Sequence, residues 1–328
     1  MNNRLLGKTG ISVSEIGLGC WQIGGGDWGD VSEDDALKTM SAAVDSGVNF
    51  FDTADVYGLG RSETLIGKFL KQTSADIFVA TKLGRYPEPG WPGNFTPQAI
   101  RQHTEASLQR LGVDALDLTQ LHCIPTDVLF RGEVFETLRE LKTEGKIRQF
   151  GVSVESMEEA VRCANQEGVA SLQIIFNIFR QKPIDTLFDL AVKNGVGIIV
   201  RLPLASGLLT GKFNANTTFE ATDHRNYNRD GQAFNVGETF AGLPFDKGLS
   251  ATESVKALVP EGMSMTEMAL RWCLDFEAVS VVIPGAKSPE QAAANSKPSA
   301  MAPLNSDLHA KLREIYLNEV AENIRGPY

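Results

Sequence analysis

Long apolar runs are missing from this chain. None approaches the roughly 18 residues of a membrane-spanning helix, and the opening MNNRLLGKTG has no apolar stretch of a secretory signal. No membrane partner is therefore expected. Cysteine is scarce: Cys20, Cys123, Cys163 and Cys273 are the only four, and no two form a C-x-x-C pair. That spacing excludes a disulfide scaffold and fits a reduced, cytoplasmic setting. Positive charge is also short. The formal net charge is -10 and the sequence pI is near 5.0. Nucleic acid is excluded as a partner, because polyanion binding needs a basic surface, but one small phosphate pocket is not. The histidines, His103, His122, His224 and His309, are isolated, with no H-x-H or H-E-x-x-H group. No metal site is expected. His103 and His309 fall on helical stretches and are expected to be solvated. Cys20 and Cys123 flank the candidate site described below and read as small core residues.

No low-complexity linker divides the chain, and residues 1–328 read as one domain. What is present is a repeating alternation. Short apolar runs occur at 14–20, 48–52, 77–83, 116–122, 147–153, 172–177, 196–203 and 280–285. Most are continuous, as in parallel strands buried on both faces. Helix signals lie between them. Ser32 and Asp35 precede Ala36, Leu37, Met40, Ala43 and Val44 at helical spacing. Thr96–Pro97 starts a second helix, and Gly112 ends it. Eight strand–helix units predict a (β/α)₈ barrel, with RLLGKTGISV as a hairpin closing its bottom. The polar segment 214–249 breaks the rhythm, and long loops in compact domains are usually functional or disordered.

In such a barrel the active site lies at the C-terminal strand ends. FDTADVYGLGRSE puts Asp52 and Tyr57 after the second strand. ATK puts Lys82 on the third, and LH puts His122 at the end of the fourth. An acid at the edge of a core needs a partner, and Lys82 on the neighbouring strand supplies one. An ammonium beside a phenol favours the phenolate, so Lys82 is expected to lower the pKa of Tyr57 from about 10. Tyr57 is then a candidate proton donor to a carbonyl oxygen, with His122 orienting that oxygen. Each residue alone would read as ordinary; four polar residues at buried strand ends point to chemistry.

These pieces, with GLGCWQIGG, GVS, PLASGLLTGK and IPGAKSPEQ in order, resemble the aldo-keto reductases over nearly the whole chain. The resemblance implies hydride transfer between a nicotinamide cofactor and an aldehyde or ketone. Tyr57 would be the general acid, supported by Asp52, Lys82 and His122. NADPH/NADP+ is the implied cofactor, with NADH possible but weaker. Lys287 and Ser288 would contact the 2'-phosphate, and Gln291 and Asn295 the adenine side. Ser206, Leu208 and Lys212, with Pro203 and Leu204, would wrap the pyrophosphate. Ser153 and Gln173 would hold the carboxamide, and Gly19, Trp21 and Gly285 would line the remaining cofactor path.

The chain departs from the family at three positions. Val154 stands where Asn is common, Ala294 where an acid often precedes the asparagine, and Arg201 where many members stack an aromatic on nicotinamide. A guanidinium there is expected to disfavour the oxidised cofactor and favour carbonyl reduction. Trp21, Trp28, Tyr86 and Trp91 are expected near a small-molecule carbonyl substrate. Segment 214–249 is expected to close over bound cofactor, bringing Arg225 to a phosphate. Two other readings share these motifs. One is a sugar or polyol dehydrogenase running the same chemistry backwards. The other is a redox-sensing subunit resembling potassium channel β-subunits, against which the lack of an additional domain weighs. Neither substrate identity nor oligomeric state follows from the sequence.

Overall fold

The computed structural model of the chain describes residues 1–29 and 31–328. A hairpin of β1 (Asn3–Leu5) and β2 (Ser12–Ser14) comes first. Eight parallel strands follow: β3 (Leu18–Gly19), β4 (Phe50–Asp52), β5 (Phe78–Leu83), β6 (Leu116–His122), β7 (Ile147–Ser153), β8 (Val169–Ile175), β9 (Gly197–Arg201) and β10 (Val279–Val282). They pair in chain order. The first and last meet through the bridges Ile16↔Val282 and Gly19↔Gly285, so the sheet closes. Helices alternate with the strands, and the fold is the expected (β/α)₈ barrel. No described helix is long and apolar enough to cross a membrane.

Period-two alternation decides what fills the barrel. Phe50, Ala80, Leu118, Ile199 and Val281 point inward near the bottom, where Leu6 and Val13 of the hairpin join them. Two residues further along their strands stand Asp52, Lys82, Gln120 and Arg201. The same pleat therefore gives an apolar plug below and a polar layer above.

Local signals act as their chemistry requires. Ser32 Oγ accepts from Asp35 N (3.1 Å) and caps Glu33–Asp45. Thr96 caps Pro97–Leu111, and Gly112 ends that helix in the left-handed region (φ 69°). Several expectations need correction. β8 begins three residues before the apolar run at 172 and stops at Ile175, and Asn177 instead bridges to Arg180 in a turn. The helix Phe245–Lys256 begins inside the presumed loop 214–249. His103 is buried, not solvated: its Nε2 meets Asn94 Oδ1 at 3.0 Å. Asn94 also donates to the carbonyls of Gly84 and Tyr86, knitting the loop after β5 to the helix. His309 is half-buried against Asp275 (2.9 Å), whose other oxygen takes Arg271.

Candidate active site

The acid after two phenylalanines has its partner. Lys82 Nζ lies 2.6 Å from Asp52 Oδ1, 2.8 Å from the Thr53 carbonyl and 3.2 Å from the Tyr57 hydroxyl. All three ammonium donors are thus used. The other Asp52 oxygen accepts from Gln173 Nε2 at 2.7 Å and Gln120 Nε2 at 3.4 Å. Asp52 and Lys82 are almost fully buried. Gln173 was expected on the carboxamide; here its amide nitrogen supports Asp52. Sequence reading overlooked Gln120, although its place two residues before His122 on β6 put it on the inward face.

Tyr57 sits on the turn between β4 and the helix Arg61–Leu70. That turn lies against the short helix Trp21–Gly24. A Cβ on Gly24 would come within 2.8 Å of the Tyr57 carbonyl carbon, so glycine permits the approach. The Trp21 ring stacks on Tyr57 (centroids 5.8 Å apart, 18° between planes), and His122 meets it edge-on at 6.0 Å.

Burial corrects the expected pKa of Tyr57. Desolvation raises the phenol to about 12 and outweighs the opposing pull of Lys82. The hydroxyl therefore stays protonated over the ordinary pH range, as a proton donor needs to. Burial draws the Lys82 ammonium down, yet Asp52 and Tyr57 together hold it above its ordinary value. Burial, then the charges of Arg85, Lys82 and Arg201, push His122 well below its ordinary value. His122 is neutral, and its buried Nδ1 has no partner among the described residues.

Most residues expected to hold cofactor gather along the β3, β9 and β10 side, while Ser153 ends β7 and Gln173 lies on β8. Gly19 N donates to the Pro284 carbonyl (3.0 Å), bringing Gly285 beside it. Pro203, Leu204, Ser206 and Leu208 form the turn after β9, and exposed Lys212 ends it. Ser206 Oγ is already engaged by segment 214–249: it donates to Glu238 O (3.0 Å) and accepts from Phe240 N (3.1 Å). Ser288 caps the helix Pro289–Ser296, and Gln291 Oε1 accepts from Lys287 N at 2.8 Å. Asn295 Nδ2 donates to Gly285 O (3.2 Å), and Ser153 Oγ lies 3.8 Å from Cys123 Sγ.

Segment 214–249 crosses the barrel mouth as a strap. Its His224 N donates to Asp27 O (3.0 Å), and Tyr227 OH donates to Asp27 Oδ1 (2.6 Å). Trp21 Nε1 donates to the other Asp27 oxygen at 3.0 Å. The His224 ring packs 4.4 Å from Trp28 and 5.0 Å from Trp21. Arg225 lies over the Trp28 ring at 4.9 Å and is held bidentately by Asp223. Lys287 Nζ donates to the Trp28 carbonyl, and burial and Arg225 lower its pKa. Sequence reading missed Asp27, His224 and Glu238 because these links span up to 200 positions, and no local spacing marks them.

Of the aromatics expected at the substrate, Trp21 stacks on Tyr57, and Trp28 packs behind it, edge-on to Trp21 at 5.5 Å. Trp91 is 58% exposed, and its Nε1 donates to the Cys123 carbonyl at 3.5 Å. Tyr86 turns away, its ring 5.9 Å from His103 and beneath Arg110. Arg201 is not a free guanidinium, as was expected beside nicotinamide. Nη1 pairs with Glu238 at 2.5 Å, and Nη2 donates to Val154 O at 3.0 Å. The strap thus neutralises the charge that was to repel the oxidised ring. Cys123 Sγ, Glu155 and Glu238 lie within 4.8 Å of one another, with Arg85 holding Glu155 at 2.8 Å.

Comparison with known proteins agrees with this geometry. The family model for the Aldo/keto reductase family matches residues 15–317. The chain is 32% identical to "Aldo-keto reductase YhdN" of Bacillus subtilis (strain 168), over 98% of this chain and 95% of that one. It is 30% identical to the "NADH-specific methylglyoxal reductase" of Escherichia coli (strain K12), covering 88% and 91%. Among solved structures, the glycerol dehydrogenase AKR11B4 from Gluconobacter oxydans superposes with a TM-score of 0.80, at 30% identity over 99% and 98% of the chains. The aldo-keto reductase AKR11C1 from Bacillus halodurans (holo form) gives 0.76, at 29% identity over 96% of both. The chain belongs to the aldo/keto reductase family and is an oxidoreductase acting on carbonyl or alcohol groups.

Proposed function

We propose that the protein reduces an aldehyde or ketone to the alcohol with NADPH, using Tyr57 as the general acid. The observation that carries this reading is the buried contact of Lys82 with both Asp52 and the Tyr57 hydroxyl. Several groups suit a nicotinamide cofactor. Trp28 Nε1 and His224 Nε2 are buried without partners among the described residues. Arg225 of the strap and Lys287 place two cations together, beside the capped N-terminus of Pro289–Ser296. The bound cofactor supplies the hydride. Lys287, Ser288 and Arg225 would hold its phosphates, and Ser153 would hold its carboxamide together with the oxygen of Gln173, whose nitrogen is engaged by Asp52.

The chain's own residues then handle the proton. Tyr57 donates its hydroxyl hydrogen to the substrate oxygen, which neutral His122 holds in line. Lys82 stabilises the phenolate left behind, and Asp52 fixes Lys82. Trp21 and the strap exclude water. Because burial raises Tyr57 to about 12, the acid form persists as pH rises toward that value. The reduction rate should therefore show no Tyr57-linked fall between about pH 6 and 9. A pre-steady-state pH profile at saturating NADPH tests this, and a sigmoid loss in that window that Tyr57→Phe abolishes would leave Tyr57 as the acid but contradict its raised pKa.

Cofactor choice rests on Lys287. A charge-assisted contact to phosphate is worth roughly 1.5–3 kcal/mol, so Lys287→Ala should weaken NADPH about 10- to 100-fold and NADH hardly at all. Fluorescence titration of both cofactors measures it. Equal losses would remove Lys287 from the 2'-phosphate and bring this chain nearer its NADH-specific relative. The strap makes a further prediction, that proteolytic cleavage within 214–249 slows when NADPH is added. Unchanged cleavage at saturating cofactor would detach the strap from cofactor binding. A sensor reading keeps some ground, since the chain is also 30% identical to the "Probable voltage-gated potassium channel subunit beta" of Arabidopsis thaliana. Rapid steady-state turnover of a simple aldehyde decides against it.

A further inference from the structure

Two arginines whose charges help to keep His122 neutral hold no substrate group in the chemistry above. We propose that Arg85 and Arg201 form an anion subsite, and that the preferred substrate is an aldehyde or ketone bearing a carboxylate. This inference rests on the reductase reading and adds the substrate class.

Arg85 lies three residues beyond Lys82, past the end of β5. Its only side-chain hydrogen bond among the described residues goes from Nη2 to Glu155 (2.8 Å), and the group is half-buried at the mouth. Four of its five N–H donors are left to a ligand. The Arg201 side chain is nine-tenths buried, and its Nε has no partner among the described residues. The charges of both arginines act on His122, and that of Arg85 acts on Tyr57. An anion held between them stands next to the groups that grip the reacting oxygen. Lys82, the third cation here, is already matched by Asp52.

A carboxylate already occupies this position. Glu238, carried on the strap, reaches Arg201, and its charge also acts on Arg85 and Tyr57. It lies within 4.8 Å of the Glu155 carboxylate, so two like charges crowd one site. Burial pushes Glu155 above the usual carboxylate range. When a substrate carboxylate replaces Glu238 on the arginines, the count of charges around them is unchanged and the strap side chain withdraws. The arginine fork suits a planar carboxylate. Trp91, on the Cys123 carbonyl, offers an exposed ring for the body of the substrate.

The test compares 4-carboxybenzaldehyde with benzaldehyde, using the holoenzyme and NADPH. Wild type should favour the carboxylate compound by roughly 10-fold or more in kcat/KM, and Arg85→Gln should bring that ratio toward one. A measurement on wild type alone stands beside it: benzoate should compete with benzaldehyde, and benzamide should not. A ratio near one in wild type, a ratio kept by Arg85→Gln, or no competition by benzoate overturns the subsite. If benzaldehyde is turned over in the same assay, the reductase reading stands without it. If neither aldehyde is reduced, both fall.

Discussion

Tyr57→Phe is expected to lower kcat by at least about 100-fold, the usual contribution of general acid catalysis, while leaving cofactor affinity nearly unchanged. The ring stays, so its stacking on Trp21 at 5.8 Å stays. Only the hydroxyl, 3.2 Å from Lys82, is lost. Without it the developing alkoxide has no proton donor, and neutral His122 cannot supply one without becoming an anion. Single-turnover kinetics isolate the chemical step. If the Phe variant keeps more than a tenth of the wild-type rate there, another group is the acid.

Asp52→Asn should be costly in stability as well as rate. The substitution leaves a fully buried ammonium without its counter-charge. Breaking a buried pair from one side typically destabilises by about 3–5 kcal/mol, whereas replacing both partners by apolar residues is often neutral or stabilising. The double variant Asp52→Leu with Lys82→Met should therefore unfold at higher urea than Asp52→Asn while being catalytically dead. Urea unfolding of the apo proteins measures this. An Asp52→Asn midpoint equal to wild type would mean that the pair is not a buried charge pair. A double variant no more stable than the single would mean that polar contacts from Gln173 and Gln120, and not charge balance, set the cost.

The barrel, and the meeting of Asp52, Tyr57, Lys82 and His122 at its mouth, were legible because both rest on local order. Strand ends fall every few dozen residues, and the pleat fixes which side of each faces inward. Asp52, Lys82 and His122 follow from that alone, and so would Gln120 if the alternation were counted back from His122. Tyr57 needed the turn as well, and Gly24 and Gly58 admit it. The pKa of Tyr57 was not legible: the neighbouring lysine was visible in sequence, but the degree of burial that overrides it was not. The strap contacts were hidden for a different reason. Asp27, His224, Glu238 and Arg201 meet through a segment with little regular structure, so no periodicity announces their partners. Arg201 stood out in sequence as a departure from the family, but its neutralisation by Glu238 emerged only when the strap was placed over the mouth. His103 was misjudged because its helix packs on the loop after β5 and Asn94 needs a partner there.

The central claim is direct hydride transfer between a nicotinamide cofactor and a carbonyl carbon at this site. Wild-type protein, benzaldehyde and NADPH deuterated at the nicotinamide C4 position test it most directly, with the benzyl alcohol read by mass spectrometry. The account predicts one deuterium on the alcohol carbon from one face of the cofactor, and a primary isotope effect on the single-turnover rate. Alcohol bearing only solvent hydrogen at that carbon, or no alcohol from an enzyme saturated with cofactor, would contradict it.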